Sequence, residues 1–78
     1  MNVGLLDLLE REKMLLYEIK YCDLKIEDYQ QKITDLPYTR KVLEDSIRIV
    51  SKDLAVKKQE LREVRKQIRE YLQYINQL

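Results

Sequence analysis

This sequence predicts an all-α fold, an antiparallel helical hairpin formed as a two-helix coiled coil. Three observations lead there. Apolar residues recur every three or four positions over almost the whole chain. Residues that break helices are nearly absent, with one Gly and one Pro among 78. The single proline, Pro37, falls at the midpoint. Composition agrees: 45% of residues are apolar and 37% charged, with no Trp or Phe, the balance of a long-helix protein. The length suits one small domain, residues 1–78.

With Leu5 taken as heptad position a, the a series runs Leu5, Glu12, Ile19, Ile26, Ile33, Arg40, Ile47, Leu54, Leu61, Ile68, Ile75. The d series runs Met1, Leu8, Leu15, Cys22, Tyr29, Leu36, Leu43, Val50, Lys57, Val64, Tyr71, Leu78. Twenty of these 23 positions are apolar, which marks a coiled-coil seam rather than a loosely amphipathic helix. The exceptions are Glu12, Arg40 and Lys57.

The elements follow in order. Met1–Gly4 reads as a lead-in, with Asn2 as a candidate helix cap. The first helix is expected over about 5–35, a turn over about 36–40, and the second helix over about 41–77. The heptad phase runs through Pro37, so one kinked helix of about 115 Å, at roughly 1.5 Å per residue, is the competing architecture. Pro37 argues against it. Its ring removes the bond to the Ile33 carbonyl and pushes Leu36 out of helical angles, at a cost of about 3 kcal/mol inside a helix. Folding about Tyr38 pairs residues whose numbers sum to 76, setting Ile33 against Leu43, Cys22 against Leu54, Leu15 against Leu61 and Leu8 against Ile68. Position a then faces d in every layer. No glycine follows the first helix, so a left-handed stop is missing; Asp35 or Thr39 is the candidate cap for the second, with Pro37 near its first turn.

Two helices shield only one side of each other. A homo-oligomer, a dimer or tetramer forming a four-helix or larger bundle, is therefore expected. Leu9 and Leu16, at position e, widen the core face as such a bundle requires. Glu12 and Lys57 interrupt the seam two layers apart, on either side of the Leu15–Leu61 layer. A two-fold axis crossing there brings Glu12 of one protomer level with Lys57 of another, which makes them a candidate register pair. The competing reading has both side chains snorkel to the seam edge.

Much chemistry is excluded. There is no histidine, the commonest general base and zinc ligand. The lone Cys22 allows neither a thiolate cluster nor an intrachain disulfide, and at a d position it reads as a buried structural thiol. Gly4 is the only glycine, so no phosphate-binding loop exists. No enzyme activity, cofactor or metal is expected. No secretory signal or membrane-spanning apolar run is visible, and a cytoplasmic protein is the default.

Binding surfaces remain. Met14, Tyr17, Tyr21 and Leu24 form a second apolar stripe on the opposite face of the first helix, and with Leu9 and Leu16 they make the candidate protein interface, for self-association first and a different protein partner second. The first 36 residues carry five Lys/Arg against eight Asp/Glu; residues 37–78 carry ten against six. The basic excess includes Lys41, Arg48, Lys58, Arg62, Arg65 and Arg69 at positions b and e, a candidate phosphate-binding edge. The favoured function is a non-enzymatic protein–protein interaction module, a small oligomeric coiled-coil adaptor, regulator or inhibitor with a protein partner. A Rop-like nucleic-acid-binding regulator using the basic edge is one alternative, and a structural coiled-coil subunit of a larger assembly is another.

Overall fold

A computed structural model describes residues 4–77. Helix α1 spans Leu5–Asp35, a 3-10 turn spans Pro37–Thr39, and helix α2 spans Arg40–Asn76. The two helices lie antiparallel as a hairpin 61 Å long and 16 Å across at the level of the Cα atoms. Tyr38, the expected fold axis, is the centre of the turn. The candidate cap Asn2 lies outside the described residues. The N-cap position of α1 is Gly4, with extended backbone angles and no side-chain cap.

The turn closes without a left-handed residue; no described residue has positive φ. Leu36 leaves the helix at φ −132°, ψ 78°, outside the α region that a following proline disfavours. Its amide still donates to the Lys32 carbonyl at 2.8 Å. Its carbonyl accepts twice from Thr39, from the amide at 2.9 Å and from Oγ1 at 2.7 Å. This corrects the capping expectation. Thr39 does occupy the N-cap position of α2, but its hydroxyl points back across the turn and caps nothing. Asp35 accepts from Gln31 Nε2 at 3.1 Å instead. A proline-led 3-10 turn already supplies helical φ at Pro37 and runs directly into α2, so a side-chain cap has no break to bridge.

The core is the predicted seam. Among the described residues the six buried apolar ones, Leu8, Leu15, Cys22, Ile33, Leu61 and Val64, all sit at a or d positions. Leu8, Leu15, Leu61 and Val64 form one cluster, with Ile19 and Ile68 packed against it. This cluster holds both members of the expected Leu15–Leu61 and Leu8–Ile68 layers, in the half of the hairpin towards the open end. Leu15 has no solvent exposure. Burial fades at both extremities. Leu36 is exposed at the turn, and Tyr71 and Ile75 are exposed where α2 runs level with, and then past, the first residue of α1.

Candidate protein-interaction site

The two edges of the seam differ. The g edge is closed by charge. Arg11 pairs with Glu60, and Lys57 Nζ lies 3.2 Å from Glu18 Oε2 and 3.7 Å from Asp53 Oδ1. That Glu18 oxygen is shielded from solvent and forms no aligned hydrogen bond, so the Lys57 ammonium is the charge that compensates it. The contact with Glu18, with Asp53 adding, raises the Lys57 pKa above the usual lysine value. On the e edge, Arg65 Nε donates to Glu12 Oε2 at 3.0 Å, while Leu9 and Leu16 stay exposed. Glu12 and Lys57, the two seam interruptions, therefore both find opposite charges within one chain, on opposite edges. The hairpin does not bring them together. Lys25, which the register puts within reach of Asp53, lies with Nζ 5.2 Å from the Tyr21 ring centre.

Cys22 is buried where the seam meets the g edge, its Sγ 3.7 Å from Asp53 Oδ2. Burial, then the Asp53 carboxylate, raises the thiol pKa above the ordinary cysteine value. A thiol so placed is a poor nucleophile.

The expected stripe on α1 lies on the face turned from α2. Met14, Tyr17, Tyr21 and Leu24 are 55%, 65%, 61% and 53% exposed. Their spacing of three, four and three residues is that of a second seam with nothing packed on it. The stripe also borders a recess. Tyr17 and Tyr21 form one wall of a groove of about 350 Å³, lined further by Glu18, Cys22, Asp53 and Lys57. A smaller one of about 230 Å³ lies between Lys13, Leu16, Tyr17 and Lys20. Lys13 and Lys20 flank the stripe and form no ion pair among the described residues.

The basic edge of α2 is partly consumed. Arg48 pairs with Asp45 at 3.1 Å and Arg65 with Glu12 at 3.0 Å. Arg62 donates to Gln59 Oε1 from Nε at 3.2 Å and from Nη2 at 2.8 Å. Lys41, Lys58 and Arg69 have no carboxylate partner among the described residues, and the track they leave is interrupted.

One surface escaped the sequence reading. Val42, Ile49 and Val56 are 69%, 69% and 55% exposed on α2. Each is separated from the next by one heptad, all at position c. That seven-residue spacing was the available signal, but the lysines and arginines of the same helix dominate its pattern. At the turn, Leu36, Tyr38, Val42 and Leu43 line a groove of about 410 Å³ with Lys32 and Thr39.

Among the described residues no helix is long and apolar enough to cross a membrane. No protein-family model, curated protein or solved structure matches this chain.

Proposed function

We propose that this hairpin is a protein–protein interaction module, a small coiled-coil adaptor, regulator or inhibitor without catalytic chemistry of its own. One observation carries the reading: the Met14–Tyr17–Tyr21–Leu24 stripe is a complete helix-packing surface that the hairpin leaves open. Tyrosine and methionine suit such a role, one offering an apolar ring with a polar tip and the other an adaptable side chain. The grooves beside Tyr17 and Tyr21 give a partner's side chains somewhere to insert, as the central pockets of binding hot spots do. The unpaired Lys13 and Lys20 complement a partner helix with acidic flanks.

The test is retention of host proteins on immobilised hairpin. The reading expects a protein held by the native chain, lost with Tyr17→Ala/Tyr21→Ala at unchanged helicity, and kept with Tyr38→Ala at the turn. Equal retention by all three, or retention of nucleic acid that disappears steeply with salt, would contradict it.

A further inference from the structure

We infer that the outer face of α2 is a self-association surface, on which a second copy of this chain docks antiparallel about a two-fold axis through Ile49. Val42, Ile49 and Val56 lie on one line along α2, drifting only about 20° per heptad. They face away from the seam and are more than half exposed. Placing the axis at Ile49 sets Ile49 against its own copy and Val42 against Val56 of the other protomer.

Charge selects this geometry. Asp45 and Lys52 flank the apolar line on one side, Ser46 and Asp53 on the other. In an antiparallel pair like flanks meet. Asp45 then stands beside Lys52 of the second copy, and Lys52 beside its Asp45, so two opposite-charge contacts form by symmetry. On the other flank Ser46 meets Asp53, a hydroxyl donor and a carboxylate. In the parallel alternative unlike flanks meet: Asp45 faces only Ser46 of the second copy, and Lys52 faces Asp53, whose two oxygens are already engaged by Lys57 and Cys22 of its own chain, each at 3.7 Å. Asp45 keeps Arg48 as a neighbour at 3.1 Å, which leaves one of its oxygens free for a lysine.

The contact runs from Tyr38 in the turn to about Gln59 of α2, a strip of roughly 33 Å at about 1.5 Å per residue. One helical face of that length falls below the ~800 Å² per partner of a standard interface, which places it among the weak, concentration-dependent contacts. The stripe on α1 lies outside the contact and stays free for a different partner. Each hairpin extends 61 Å and the overlap is at the turn end, so the dimer is a rod of about 90 Å with the open ends pointing outward.

Sedimentation equilibrium of the native chain and two charge variants tests this. Asp45→Lys carries two cations beside the apolar line and Lys52→Asp two anions, so each alone should associate at least tenfold more weakly than the native chain. Mixed one to one, they should recover affinity within about threefold and give a heterodimer by native mass spectrometry, because both pairs re-form. Ile49→Glu should sediment as a monomer with helicity retained; if it loses helicity, the mixing result decides. A native chain that stays monomeric at 200 µM would overturn the inference. So would a dimer indifferent to either charge variant, or single variants that fail to recover on mixing.

Discussion

Leu15 and Cys22 show how unevenly single residues contribute to a two-helix protein. Among the described residues Leu15 alone has no exposure, in the layer it forms with Leu61. Leu15→Ala should cost about 2–5 kcal/mol, the usual range for truncating a buried leucine, read by urea denaturation. Leu6→Ala, at a position 69% exposed, should stay within about 0.5 kcal/mol. Cys22 adds a pH dependence. Its thiol pKa is raised in the folded chain by burial and by Asp53, so the fold holds the thiol proton more tightly than the unfolded chain does. The resulting stability is complete below the unfolded thiol value and is lost as pH rises through the folded value. The melting temperature should therefore fall from about pH 9 upward, less steeply in Cys22→Ala than in the native chain. A thiol reagent should react slowly with Cys22 at pH 8 and faster after Asp53→Asn, which removes a carboxylate that opposes the thiolate. An unchanged rate would leave burial as the sole control.

At the scale of elements, the turn and the outer faces behave differently. The turn depends on Pro37 and on the double acceptance by the Leu36 carbonyl. Thr39→Ala removes the side-chain half of that arrangement and should cost about 0.5–1.5 kcal/mol, the net worth of one hydrogen bond, without shortening α2. Far-ultraviolet circular dichroism during a thermal melt reads both quantities. The position of the turn was legible because Pro37 is unique and central, and because a constant heptad phase on both sides allows one mirror register. The role of Thr39 was not. Threonine before a helix suggests a cap, and only the geometry of the 3-10 turn shows its hydroxyl aimed backwards. The stripe on α1 was legible from Met14, Tyr17, Tyr21 and Leu24 because two large tyrosines on the face opposite a seam have no place in a simple hairpin. The line on α2 was not, because Val42, Ile49 and Val56 are interleaved with Lys41, Arg48 and Lys52. The pairing on the seam edges was equally opaque. A register counted at Cα positions cannot tell whether Glu18 meets Glu60 or Lys57, since long side chains reach a full turn along the helix.

The whole molecule is a thin rod with one core seam and two unpartnered outer faces. A chain of this shape leaves much of its apolar surface in water. Leu9, Leu16 and the outer stripes stay exposed in a single copy, and covering them with other helices is the physical reason to expect assembly. We propose that the two outer faces take different partners, a second copy on α2 and another protein on α1. Glu12 and Lys57 each meet an opposite charge inside the chain, and Glu12 lies outside the α2 contact proposed above, so Glu12→Gln should leave the self-association constant unchanged in the ultracentrifuge; a weakened constant would instead favour a register role for Glu12 and Lys57. The most direct test of the partner-binding face is site-specific photocrosslinking in the native host, with a benzophenone amino acid at position 17 or 21 and the same label at Tyr38 as control. The account predicts a discrete protein adduct from positions 17 and 21 that is absent from position 38. Adducts of equal yield from all three positions, or none from 17 and 21, would contradict it.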